Sequence, residues 1–151
     1  SARRCICSHI ALARYQRKIS GPIIDRIDMW IEVSNISHEK LSENKGENKE
    51  SDEKRKNIIK ARSIQEERFK NIKRKIKTNS EMNSKDLSQL VNIKDEAQKI
   101  LNNAARSMDL SPRAYHRVIK LSRTIADLDE SMDIQESHIL EALQYRPKQV
   151  D

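Results

Sequence analysis

The chain has 151 residues, enough for one core or for a small domain with a linker. Charged side chains make up 35% of it and aromatic ones 3%, so any core is aliphatic and modest. A net charge of +7 favours an acidic partner such as nucleic acid or nucleotide phosphate, and no run of about 18 apolar residues is present to span a membrane.

The sequence opens on Ser1 rather than Met and shows no signal-peptide core, so the expectation is a cytoplasmic chain cut from something longer. Cys5 and Cys7 are too close for an ordinary mutual disulfide, which points to a reducing compartment. With His9 they offer soft or borderline ligands within one short stretch. Zinc normally takes four ligands from two spaced pairs, so a zinc site at Cys5 and Cys7 is one open reading of the motif.

From Ile10 to Ile19 apolar residues mix with Arg14, Arg17 and Lys18, which predicts a short helix with a basic face, ended by Gly21 and Pro22. Ile27, Met29, Ile31 and Val33 then alternate with Asp28, Trp30 and Glu32, the period of a strand. No other convincing strand follows, so the sheet that this one needs is expected in sequence upstream. Between the two lies Arg26, with Asp25 and Asp28 on either side and Ile23, Ile24 and Ile27 around it. Such an arginine is either a structural salt bridge or a directed guanidinium reaching for a phosphate.

Residues 34–53 hold little to bury and read as a flexible linker, its end open to being the start of the next helix. Lys54 to Lys77 contains eleven basic residues against two acidic ones, with apolar positions at helical intervals through at least Phe69. Two readings stand, a solvated face and a DNA-facing surface with Lys60, Arg62, Lys73, Arg74 and Lys75 as candidate contacts. A membrane-surface helix is disfavoured, because the apolar face lacks a Trp or Leu stripe.

Residues 78–92 are polar and broken, with one helical turn expected over Asp86 to Val91. Ala97, Ile100, Leu101, Ala104, Ala105 and Met108 fall on one face of a helix predicted over Lys94 to Met108. Ser111 as N-cap and Pro112 at the first position define the next helix, which runs to Leu128 with Tyr115, Val118, Ile119, Ser122, Ile125 and Ala126 inward. Arg113 lies in its first turn, where a cation has the wrong sign for the helix dipole, so something outside the helix is expected to use it. His116 and Arg117 read as surface or packing residues, and for Lys120 and Arg123 an exposed charge is an equally open reading. Asp133 with Glu136 suggests a capping box for a last helix carrying Ile139, Ala142 and Leu143, with His138 at its outer edge. Residues 148–151 form a tail.

Two strings carry a resemblance: Ile-Ser-Gly-Pro-Ile-Ile-Asp-Arg-Ile-Asp over Ile19 to Asp28, and Leu-Ser-Pro-Arg-Ala-Tyr-His-Arg from Leu110 with Arg-Thr-Ile-Ala-Asp-Leu ending at Leu128. By them the chain resembles the magnesium-chelatase-like AAA+ ATPases, over residues 3–33 and about 54–147. The resemblance implies a mainly α fold, a helical lid bundle at 54–147 preceded at 1–33 by the C-terminal fringe of an α/β nucleotide-binding domain. It implies ATP and Mg2+ as cofactors of the complete chain and a homo-oligomeric ring. Arg26 would be the arginine finger offered in trans, Arg113 the sensor-2 arginine, and Cys5 and Cys7 half of a cysteine cluster. The long stretch from Ser34 to Asn57 departs from the family pattern.

Gly21 and Gly46 are the only glycines, so there is no Gly-rich phosphate loop, and no acidic pair follows an apolar strand. This chain alone is therefore not expected to hydrolyse ATP. Three functions stay open: a DNA-remodelling motor of the competence-helicase kind, the ATPase subunit of a chelatase inserting magnesium into porphyrin, and a non-enzymatic basic DNA-binding module.

Overall fold

A computed structural model describes residues 6–16, 18–34 and 49–147. The fold is mainly helical, as expected. In chain order come α1 (His9–Gln16), α2 (Gly21–Ile24), α3 (Lys49–Phe69), a 3-10 turn (Asn79–Glu81), α4 (Ser84–Leu90), α5 (Asp95–Ser107), α6 (Pro112–Leu128) and α7 (Glu136–Gln144).

The helix α6 is the hub. It packs against α3, α4, the 3-10 turn and α7, and α5 closes the other side of α7. The inward stripe of α6 includes Val118, Ile119, Ile125 and Ala126, and it meets Phe69 of α3, Leu101 of α5 and Ile139 of α7 in one aliphatic core. An isolated parallel bridge, Ile93 with Ile134, ties the loop before α5 to the loop before α7.

Helix ends are specified by side chains and by chain reversal. Asn83 accepts from the Asp86 N–H at 2.9 Å while the Asn83 N–H donates to Asp86 Oδ2 at 2.8 Å, a reciprocal cap on α4. Both α5 and α6 stop in a left-handed residue that is not glycine, Asp109 (φ 46°) and Glu130 (φ 54°). After them Leu110 N–H reaches the Ala105 carbonyl at 2.9 Å and Ser131 N–H the Ala126 carbonyl at 2.8 Å, which satisfies the last turn of each helix.

Several expectations change. The period-two stretch at Ile27 to Val33 forms no strand among the described residues. Ile31 and Val33, on its expected inner side, are 68% and 83% exposed, whereas Trp30 of the opposite parity is half-buried. Gly21 and Pro22 open α2 rather than merely ending a helix, since proline's fixed φ suits a first turn. The long helix begins at Lys49, so 49–53 belong to α3 rather than to a linker. Its first half, Ser51 to Lys60, is exposed, whereas Ala61, Gln65 and Phe69 at four-residue spacing are buried in the bundle and Arg68 reaches in to Asp127. The turn expected over Asp86 to Val91 is α4, begun earlier at Ser84.

The last helix is capped from Gln135, not Asp133. Gln135 N–H donates to His138 Nδ1 at 3.0 Å, and Asp133 instead accepts from Asn92 at 2.9 Å. His138 is therefore buried rather than at an outer edge, with Nε2 3.3 Å from Asp129. Arg123, for which the sequence leaves an exposed charge open, is 1% exposed. Its guanidinium bonds Asp127 and the carbonyls of Met132 and Ser131.

Candidate functional site

Opened by Gly21 and Pro22, α2 makes a single helical turn. Asp25 and Arg26 then form a turn, with the Arg26 N–H on the Ile23 carbonyl at 2.9 Å and the Ile27 N–H on the Ile24 carbonyl at 3.1 Å. This turn meets the start of α6 and the end of α7. Ser111 joins the two sides: its hydroxyl accepts from the Ala114 N–H at 3.1 Å, capping α6, and donates to Asp25 Oδ2 at 2.8 Å.

One turn into α6, Arg117 donates to the Arg26 carbonyl at 2.6 Å and pairs with Asp28. From beyond α7, Arg146 donates to the Ile27 carbonyl at 3.2 Å and stands 3.9 Å from Asp25 Oδ1. The Trp30 N–H closes the junction on the Tyr145 carbonyl at 2.8 Å.

Asp25 and Asp28 thus do not hold Arg26. Both are turned to α6 and α7, and the Arg26 guanidinium is exposed, donating to the Pro22 carbonyl at 3.0 Å. Among the described residues it makes no ion pair. Arg113 is likewise exposed on the first turn of α6, without a side-chain partner among the described residues. The hydrogen bond between Asp25 and Ser111 lies one residue before Arg26 and two before Arg113, so the fold brings the two predicted arginines to one junction.

Arg113, Arg117 and Lys120 follow each other at helical spacing on one face of α6. Burial pushes the Lys120 pKa down and the Arg117 charge adds to this, while Asp28 pulls it back up. Arg117 and Arg146 pair with Asp28 and Asp25, Arg26 and Arg113 lie close to them in the chain, and Lys120 donates to the Ser80 carbonyl at 2.8 Å. An excess of fixed positive charge with two unclaimed guanidiniums fits the phosphates of a nucleotide. It does not fit a metal: Asp25 and Asp28 are committed elsewhere, and no three His, Cys, Asp or Glu side chains cluster to hold an ion among the described residues.

Of the cysteine pair, Cys5 lies outside the described residues and Cys7 is exposed. The basic stretch after Lys54 divides in two. Lys60 pairs with Glu130 at 2.8 Å, and Arg74 pairs with Asp86 and donates to the Glu81 carbonyl at 3.0 Å, so both serve the fold. Arg62, Lys73 and Lys75 are exposed without such partners among the described residues. Lys73 and Lys75 lie beyond α3, whose helix ends at Phe69, and so do not continue its face.

Arg117 and Arg146 are the site residues to which the sequence assigned no site role, and Ser111 was read only as an N-cap. The four-residue step from Arg113 to Arg117 was the available signal; Arg146, after a proline-flanked helix end, offered none.

In class, then, this is a helical bundle carrying an arginine-bearing turn latched to its central helix. The chain belongs to the magnesium chelatase family, matching its description "Magnesium chelatase, subunit ChlI C-terminal" over residues 48–146 and "Magnesium chelatase, subunit ChlI" over 1–41. It is 37% identical over 135 residues to the competence protein ComM of Haemophilus influenzae, covering 89% of this chain and 25% of that protein. It is 31% identical over 140 residues to the uncharacterized protein YifB of Escherichia coli, covering 93% of this chain and 26% of that protein. An uncharacterized Mycobacterium tuberculosis protein, Rv2897c, is 27% identical over 82% of this chain and 24% of its own length. The chain spans about a quarter of the length of these curated relatives.

Proposed function

We propose that this chain is the C-terminal region of a ring-forming AAA+ ATPase, a helical lid with the arginine turn that precedes it. One observation carries the reading: both acids beside Arg26 are bound by α6 and the segment after α7, leaving the Arg26 guanidinium exposed and, among the described residues, without an ion pair. A finger must meet charge on a phosphoryl group of a neighbouring subunit, and a guanidinium already paired with its own aspartates would be neutralised for that task. Arg113 serves as the second contact, from the lid. At the positive end of α6 it adds to the backbone N–H groups that already favour an anion there. ATP with Mg2+ supplies the cleavable phosphoanhydride in the complete protein; the ligands of the metal belong to other parts of that protein.

The work driven is read as remodelling of DNA. The net charge of +7 supports an anionic polymer, as does similarity to a protein named for competence. The contacts are assigned to Arg62, Lys73 and Lys75, because Lys60 and Arg74 are engaged within the fold.

The test is ATP hydrolysis by the complete protein with and without single-stranded DNA. Arg26→Ala is expected to lower kcat by roughly a thousand-fold or more while ATP still binds. Arg113→Ala is expected to weaken ATP binding. A parental rate in Arg26→Ala would sink the finger assignment, and a rate indifferent to DNA would leave the ATPase with a different substrate.

A further inference from the structure

We propose that the turn from Asp25 to Asp28 is a latch that transmits the state of the nucleotide contacted by α6 to the aim of Arg26, with Arg117 as its principal positioning residue. The inference rests on the assignment of Arg26 and Arg113 above and adds a coupling between them.

The turn's polar groups are almost all committed to one side. Asp25 goes to Ser111 and Arg146, the Arg26 carbonyl and Asp28 to Arg117, the Ile27 carbonyl to Arg146, and the Trp30 N–H to the Tyr145 carbonyl. The Arg26 guanidinium alone points elsewhere. Its backbone is therefore placed by α6 and α7, and where those helices go Arg26 goes too.

The two contacts from α6 bracket Arg113. Ser111 lies two residues before it and Arg117 one helical turn after. A shift of the first turn of α6, on gain or loss of an anion at Arg113, must move Ser111 and Arg117 with it. Arg113 makes such a shift sensitive to an anion, because its charge opposes the helix dipole until one is bound.

The junction can also respond. Ile23, Met29 and Ile31 are exposed and Ile24, Ile27 and Trp30 only half-buried, so the turn is not locked into the core. Arg117 is half-buried and Asp28 exposed, 24% and 60% at the side chain, so water reaches the pair and it is held less tightly than a buried one. A latch held by polar contacts of this kind can re-register, whereas a turn buried in the core cannot.

The experiment uses the complete protein, measuring kcat for ATP hydrolysis and the Kd of ATP by calorimetry. Arg117→Ala and Asp28→Ala are each expected to lower kcat about ten-fold or more and leave Kd within about two-fold, because aim is lost and binding is not. Exchanging the charges, Asp28→Arg with Arg117→Asp, is expected to recover several-fold of that loss. Both single variants at parental kcat, beside an inactive Arg26→Ala, would overturn the latch and leave the finger standing. Loss of Kd along with kcat, without recovery on exchange, would also overturn it, since that marks a merely structural role. A parental rate in Arg26→Ala would remove the finger, and the latch with it.

Discussion

With no exposed surface, the Asp127 carboxylate takes hydrogen bonds from Arg68, Arg123 and Asn79 at once. Asn79 Nδ2 lies 2.7 Å from Oδ2 and Arg123 Nε 3.0 Å from Oδ1. Burial pushes the Arg123 pKa down and the charge of Asp127 opposes this, so each needs the other. Replacing Asp127 by alanine leaves two guanidiniums unneutralised inside the bundle. Asp127→Ala is expected to cost about 3–5 kcal/mol in urea unfolding, and Asp127→Asn less, because the amide still accepts hydrogen bonds. Arg123 and Asp127 stand four residues apart, which in sequence reads equally as a surface pair. What buries them comes from elsewhere: Arg68 on α3, Asn79 in the 3-10 turn and the carbonyls after α6. No local pattern contains that meeting, so for Arg123 an exposed charge stayed open. The same blindness applies to Asp25 and Asp28, whose partners are 86 and 89 residues away.

Asp86 carries a pH prediction at the same scale. The Asn83 N–H lowers its pKa below the ordinary 3.8, with Arg74 adding to the effect against the opposing pull of burial. A depressed carboxylate contributes stability above its unfolded pKa and loses it as pH falls through the folded one. Asp86→Asn is therefore expected to be less stable than the parent at pH 7. The gap should close in thermal melts as pH drops below about 3.8.

At the scale of elements, α5 was legible from its apolar stripe alone, and α6 because an apolar stripe, an N-cap and a proline agree. Ser111 before Pro112 marks the start of α6 from sequence alone, and the structure adds its second bond, to Asp25. Ser111→Ala should lower stability by about 1 kcal/mol through the lost cap. The left-handed ends at Asp109 and Glu130 were not legible, because glycine is the usual marker and neither position has it. Asp109→Gly is expected to stabilise the bundle by about 0.5–1 kcal/mol in chemical denaturation, relieving the backbone strain there. The alternation at Ile27 to Val33 misled for a physical reason. Period two licenses a strand only where a ladder partner exists, and here a single N–H, that of Trp30, finds a backbone carbonyl across the junction.

At the scale of the whole molecule, the basic character is an excess distributed over surfaces with different roles. Lys60, Arg68 and Arg74 are spent on Glu130, Asp127 and Asp86. Arg62, Lys73 and Lys75 have no such partner among the described residues and are the contacts proposed above for DNA. Converting these three to alanine in the complete protein should reduce stimulation of ATP hydrolysis by single-stranded DNA without lowering the melting temperature. Arg74→Ala should do the reverse, since it removes the partner of Asp86.

The exposed first half of α3 has a mechanical consequence. Ser51 to Lys60 is continuous with the part of α3 anchored in the bundle by Ala61, Gln65 and Phe69. At the standard helical rise this arm is about 15 Å long, so a tilt of the bundle by about ten degrees carries its tip roughly 2.5 Å. Under the proposed coupling, small rotations at the junction of Arg26 and Arg113 would be read out as a stroke at the free end of this arm.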